Sequence, residues 1–161
     1  MDKYEYRVKT EQMLEYVDSK SYDKAMEIAD TIDWRKVKNI PMLTTVSEIY
    51  ENMNELKKAL DLRGMQICNA WFSSFLITKP YEEVEKDFIE HITFLKEMGA
   101  KVVGISEQGH SIQGTDLSIF DDKYVMNDEE WDMLCTGINK LGKVAKDMGI
   151  TLTFHHHMGT V

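Results

Sequence analysis

The chain has 161 residues, of which 43% are hydrophobic and 29% charged, and a formal net charge of −9. Its length allows one ordinary domain, or a small domain with part of a larger one, and its acidic balance argues against nucleic acid and anionic membranes as partners. It has neither a run of about 18 apolar residues nor an apolar N-terminal core, so we expect a cytoplasmic protein without membrane spans or a signal peptide.

The first part of the chain has the hydrophobic periodicity of helices. Apolar residues recur at helical spacing in four segments: 8–17, 22–32, 42–53 and 54–62. Pro41 suits the first turn of the third helix, where its missing N–H is not needed. The sequence therefore predicts a helical domain over residues 1–53.

Two of these segments repeat each other at a spacing of 34 residues. Tyr16 corresponds to Tyr50 in this alignment. Ala25 corresponds in the same way to Ala59, where a small side chain lets two helices cross closely. A period of 34 residues resembles the tetratricopeptide repeat, over about residues 4–62. The resemblance implies a protein partner for the helical segment, and an unrelated helical hairpin is the alternative.

After Gly64 the pattern changes to short apolar runs that alternate with helices. Strands are predicted over 64–72, 100–107 and 150–157, and each follows an amphipathic helix that ends at a glycine. Strands separated by helices form βαβ units, whose strands are parallel. The sequence therefore predicts an α/β segment with three parallel strands.

Polar side chains gather at the carboxyl ends of the predicted strands, where the sites of α/β folds lie. Glu107 and His110 are predicted to converge on a substrate or a metal ion, with a solvated loop and a strand-capping Glu as the alternative. Strand alternation places His155 and His157 on one face and His156 on the other. Histidine with glutamate suits divalent-metal binding or acid–base catalysis near neutral pH.

Three motifs of this segment resemble the inosose dehydratases, lyases of the xylose-isomerase-like TIM-barrel group. They are AWFSSFL, SEQGHSIQG and HHHMGTV, and the resemblance runs over about residues 54–161. It implies a (β/α)₈ barrel and the dehydration of 2-keto-myo-inositol to a cyclic trihydroxy-dione in inositol catabolism. It also implies a divalent cation such as Mn²⁺ or Co²⁺.

The resemblance also places six residues in the family's substrate-facing loops: Trp71, Glu107, His110, Gln113, His155 and His157. Acid–base roles are expected for Glu107, His155 and His157. The others are expected to bind substrate, Trp71 as an apolar wall. No metal ligand is assigned, because the family's carboxylate ligands lie on later strands.

The segment corresponds to only three of the eight barrel strands. Three parallel strands cannot close a barrel, and their outer edges keep unpaired backbone groups. We therefore expect an incomplete barrel that associates with further copies through its strand edges and is inactive as this chain alone. If the chain is active, its ligand is a small polyol or cyclic ketose. The alternatives are a non-catalytic interaction protein that uses its helical repeat, and a truncated or joined chain without function.

Overall fold

The computed structural model describes residues 1–160 and divides the chain into two units, Met1–Gln66 and Ile67–Val161. The first, the helical unit, contains four α-helices: α1 (Lys3–Asp18), α2 (Tyr22–Ala29), α3 (Ile40–Asn52) and α4 (Leu56–Leu62). A short 3₁₀-helix, Trp34–Lys36, connects α2 to α3. All four helices predicted from periodicity are present in the structure.

The two helical hairpins of this unit have the same turn, repeated at the predicted spacing. Lys20 and Asn54 both adopt the left-handed conformation, with φ of 56° and 59°. The next residue in each turn donates its backbone N–H to a tyrosine carbonyl: Ser21 to Tyr16 at 2.8 Å, and Glu55 to Tyr50 at 2.7 Å. The local geometry thus follows the sequence repeat. The tetratricopeptide assignment itself stays a prediction.

The core of the helical unit explains why the division of the chain falls after Gln66 and not at the predicted position after residue 53. Ala25 and Ala59 are both buried in this core, as expected for small residues at helix crossings. Leu62 packs against the same cluster. Because α4 contributes its apolar side to α1–α3, it belongs to the helical unit.

The second unit, the α/β unit, alternates strands and helices: β1 (Trp71–Ser74), α5 (Tyr81–Glu97), β2 (Val102–Glu107), α6 (Asp128–Asp147) and β3 (Thr151–Phe154). The strands form one parallel sheet in the order β1-β2-β3, so the predicted βαβ arrangement is confirmed. The largest differences from the predicted strand bounds are at the start of the first strand and the end of the third. The first strand begins at Trp71 and not at Gly64, and the third ends at Phe154, before the histidines.

Helices α5 and α6 cover one face of this sheet. Val103 and Ile105 of β2 are fully buried there, and the ring of Phe72 lies 5.1 Å from that of Phe88 on α5. α6 begins with a capping box, in which Asn127 and Glu130 bond each other's backbone N–H groups. The sheet and its helix layer agree with a partial α/β fold. Closure into a TIM barrel and association through strand edges stay predictions.

Two glycines of α6 provide a matched test of this packing. A Cβ on Gly137 would lie 2.7 Å from Cδ2 of buried Leu76, whereas a Cβ on Gly142 would have no neighbour within 4 Å. Gly142→Ala is expected to raise the free energy of unfolding by about 0.5–1 kcal/mol, because alanine favours the helix. Gly137→Ala has the same helix gain, but overpacking against Leu76 costs about 1–3 kcal/mol, so a net loss of about 0.5–2 kcal/mol is expected. Urea unfolding of both variants checks the opposite signs, and equal effects would contradict the packing at Leu76.

Within residues 1–160, no helix combines the length and the apolar character needed to cross a membrane.

Candidate active site

The pairing of the strands sorts the strand-end residues onto two faces of the sheet. Trp71 of β1 lies opposite Gly104 of β2, which in turn lies opposite Thr153 of β3. Neighbours in parallel strands point the same way and successive residues alternate, so these three residues share one face, here called the Trp71 face. Glu107 lies an odd number of residues after Gly104 and points to the other face, which α5 and α6 cover.

On the Trp71 face, the indole of Trp71 meets two of the predicted histidines. Its ring centroid lies 5.4 Å from that of His155 and 6.1 Å from that of His157, both in edge-to-face geometry. Gly104 lies beneath the indole, because a Cβ there would stand 3.6 Å from its Cε3. A small residue in the middle strand thus leaves room for a side chain of β1 to reach across the sheet towards the end of β3.

The histidines follow β3 directly and are held by backbone contacts. The N–H of His155 donates to the carbonyl of Ile105 at 2.9 Å, which extends the pairing of β3 with β2 by one bond. The rings of His155 and His157 lie 5.4 Å apart. His155 and His157 therefore lie close together, although beyond the strand and not in it. The predicted placement of His156 on the opposite face is wrong: its ring stacks beside that of His155, with centroids 6.1 Å apart, because strand alternation ends at Phe154.

Gln113 joins the loop after β2 to the segment after β3. Its side-chain amide contacts Nδ1 of His157 and donates to the carbonyl of Met158 at 3.1 Å. The N–H of Ile112 donates to the carbonyl of Gly159 at 2.8 Å, next to this contact. The structure thus brings predicted residues Trp71, Gln113, His155 and His157 together on one face.

An open cleft of about 510 Å³ adjoins the histidines, here called the histidine cleft. It is lined by Ile119, Phe120, Lys123, His155, His156, His157, Met158 and Gly159. The loop before α6 supplies Ile119, Phe120 and Lys123, which the sequence patterns did not single out. No periodicity or motif spacing marks this loop, so its contribution emerges only from the fold.

Glu107 is fully buried, and hydrogen-bond donors surround its carboxylate. One oxygen accepts from the hydroxyl of Ser74 and the N–H of Leu76, both at 2.9 Å, and the other accepts from the N–H of Gly109 at 2.8 Å. Burial raises the pKa of Glu107, and the hydrogen bonds from Gly109, Ser74 and Leu76 partly offset that rise. The carboxylate joins the end of β1 to the loop after β2.

His110 has partners other than those of Glu107. Its ring centroid lies 3.9 Å from that of Tyr124, and its Nε2 lies 3.9 Å from Oε1 of Glu130. The hydroxyl of Tyr124 donates to the same carboxylate at 2.6 Å, which lowers the pKa of Glu130 and raises that of Tyr124. The predicted convergence of Glu107 and His110 is therefore absent from these contacts. His110 instead packs beside the start of α6.

The described residues do not fit a complete centre for the divalent cation that the resemblance implies. Within residues 1–160, no group of three or more His, Cys, Asp or Glu side chains is arranged to hold a metal ion. His155 and His157 offer two imidazoles, while the carboxylate of Glu107 lies on the other face with donors at both oxygens. Mn²⁺ prefers oxygen ligands, which this pair of histidines does not supply.

No family model matches the chain. The inosose dehydratase of Clostridium beijerinckii is 62% identical to it over 111 residues, which are 68% of this chain and 37% of that protein. The enzyme of Clostridium perfringens is 65% identical over 107 residues, 66% of this chain and 36% of that protein. The enzyme of Lacticaseibacillus casei is 56% identical over 106 residues, 65% of this chain and 36% of that protein.

The chain spans a little over a third of the length of these curated relatives. The resemblance inferred from the three motifs is therefore confirmed: about two thirds of this chain is homologous to the inosose dehydratases.

Proposed function

We propose that the Trp71 face and the histidine cleft bind a cyclic polyol ketone and serve a lyase reaction of the inosose dehydratase type, the dehydration of 2-keto-myo-inositol. The observation that carries the proposal is the meeting of Trp71 with His155 and His157 at the strand ends. An indole can pack against the C–H surface of the polyol ring, and imidazoles can hydrogen-bond to the oxygens at the edge of that ring.

Two histidines at one site suit the two proton transfers of this reaction. One neutral imidazole removes the proton from the carbon next to the ketone, and the C–H electron pair moves towards the carbonyl oxygen. A protonated imidazole then gives a proton to the hydroxyl on the next carbon, which leaves as water. The resulting enol tautomerises to the dione. We assign these roles to His155 and His157, and Gln113 orients His157 through its contact with Nδ1.

For Glu107 we propose a positioning role in place of the acid–base role that the resemblance implied. The supporting observation is its burial among donors from Ser74, Leu76 and Gly109. His110, resting against Tyr124, is proposed to steady the loop after β2. The Mn²⁺ or Co²⁺ of the resemblance stays a prediction, since the described histidines alone do not complete its ligand set.

Isothermal titration calorimetry of the purified chain with 2-keto-myo-inositol tests the proposal. Saturable binding is expected, and the double variant His155→Ala/His157→Ala is expected to lose it. The same samples are followed for dione absorbance, with and without Mn²⁺. Binding without dione formation above a metal-only blank agrees with the expectation that this chain alone is inactive, and dione formation would correct it. Absence of saturable binding at millimolar ketone would contradict the proposal.

For the helical unit, a protein partner stays the second prediction. The repeated left-handed turns at Lys20 and Asn54 support a repeat architecture, on which that prediction depends.

A further inference from the structure

Among residues 1–160, no carboxylate side chain lines the histidine cleft, although the chain is strongly acidic. The net charge of the chain is −9, yet the cleft lining consists of one lysine, three histidines and uncharged residues. Lys123 is the residue in this lining that carries a full positive charge at neutral pH. A cleft of this composition favours negative charge on its ligand, because a local cation attracts an anion more strongly where water is partly displaced.

Lys123 also differs from lysines of the same unit that are already paired. Lys79 pairs with Glu83 at 2.7 Å, and Lys143 pairs with Asp147 at 2.8 Å. Among residues 1–160, Lys123 takes part in no ion pair within 4.0 Å. Its ammonium is therefore available to a ligand in the cleft.

We propose that Lys123 is a further substrate-contacting residue, whose ammonium binds the oxygen that becomes negatively charged during the elimination. The inference rests on the proposed function. When the α-proton passes to an imidazole, the C–H electron pair becomes the new C=C bond and the carbonyl pair moves onto oxygen. That electron pair returns as the β-hydroxyl accepts a proton and leaves as water. Lys123 stabilises the intermediate oxyanion, as cationic donors do where charge develops.

Binding of a charged and an uncharged ring to the full chain tests this assignment. Calorimetry compares 2-keto-myo-inositol with quinate, a cyclic polyol whose carboxylate represents the oxyanion. Lys123→Met is expected to weaken quinate binding by about 10- to 100-fold and ketone binding by about threefold, because charge-assisted bonds are the stronger ones. Lys123→Arg is expected to retain most of the quinate affinity. Lys143→Met, which removes an equal charge from α6, is expected to change neither.

The outcomes separate this inference from the function on which it rests. Unchanged quinate affinity in Lys123→Met, with normal ketone binding, would overturn the role of Lys123 and leave the proposed function intact. An equal loss in Lys143→Met would mean that only the net charge of the chain matters, and would also overturn it. If the unsubstituted chain binds neither ring, the proposed function fails and this inference fails with it. Circular dichroism confirms that the exposed substitutions leave the fold unchanged.

Discussion

Replacing Glu107 with glutamine is expected to lower the free energy of unfolding by about 2–4 kcal/mol at neutral pH, or about 10–20 °C in the unfolding temperature of the α/β unit. The carboxylate accepts from Ser74, Leu76 and Gly109, and both of its oxygens are used. Glutamine replaces one oxygen with an NH₂ group, which faces a backbone N–H whichever way the amide is turned. A buried donor then stays unpaired, and this cost exceeds the relief of removing a buried charge.

The matched control is Glu90→Gln, an exposed glutamate on α5 of the same unit. It is expected to change the stability by less than about 0.5 kcal/mol. Urea unfolding followed by circular dichroism measures both variants. Equal stabilities for Glu107→Gln and the unsubstituted chain would show that the carboxylate does not hold the end of β1 to the loop after β2.

The effect of Glu107→Gln on stability is expected to depend on pH. Burial raises the pKa of Glu107 in the folded chain above its value in the unfolded chain. The folded state then binds this proton more tightly than the unfolded state does. The stability that protonated Glu107 contributes is therefore largest below the unfolded-state pKa and is lost as pH rises through the folded-state pKa. The stability difference between the unsubstituted chain and Glu107→Gln is therefore expected to shrink from pH 4 towards pH 7. A difference that grows over this range would contradict the sign.

Removing the indole of Trp71 is expected to weaken binding of 2-keto-myo-inositol by about 10- to 100-fold. The indole lies edge-on against His155 and His157 and is 44% exposed, so its free surface is available to a ring. Trp71→Ala removes this wall and also a contact that fixes both imidazoles. Calorimetry gives the affinity. The chain's stability is expected to fall only modestly, because the residue is not in the core.

Trp131 on α6 is the matched control, because its side chain is 45% exposed and its indole, unlike that of Trp71, is not among the rings that contact His155 or His157. Trp131→Ala is expected to keep the affinity within about threefold. Gly104 gives an independent check of the indole position. Gly104→Ala adds a Cβ at an ordinary 3.6 Å from Trp71 and is expected to be tolerated, whereas Gly104→Leu displaces the indole and weakens binding. Tolerance of Gly104→Leu would contradict this position.

Much of the fold was predictable from the sequence, because helices and βαβ units have local patterns. The four helices of the first unit followed from apolar periodicity, and the equivalence of the turns at Lys20 and Asn54 followed from the spacing of 34 residues. The bounds of β1 were not predictable in the same way. Residues 64–70 are apolar enough for a strand, but the pairing of this segment with β2 starts only at Trp71.

Four of the residues predicted for the site lie together in the structure, and alternation along β2 explains why Glu107 does not join them. Trp71, Gln113, His155 and His157 do meet on one face. The grouping of Glu107 with these histidines overlooked the alternation of side chains along β2. Glu107 is three residues after Gly104 in β2, so its side chain points to the opposite face, which the helices cover.

By itself the sequence determined the element types, the parallel order of βαβ units, the motifs shared with the inosose dehydratases and the histidines at a strand end. Only the tertiary structure decided the partners of Glu107, the packing of His110 on Tyr124 and the place of Lys123 in the histidine cleft. The physical reason is sequence separation. Ser74 and Glu107 are 33 residues apart, and Lys123 lines the same cleft as histidines from a different loop. Strand register and loop path must therefore be fixed before these side chains can come together.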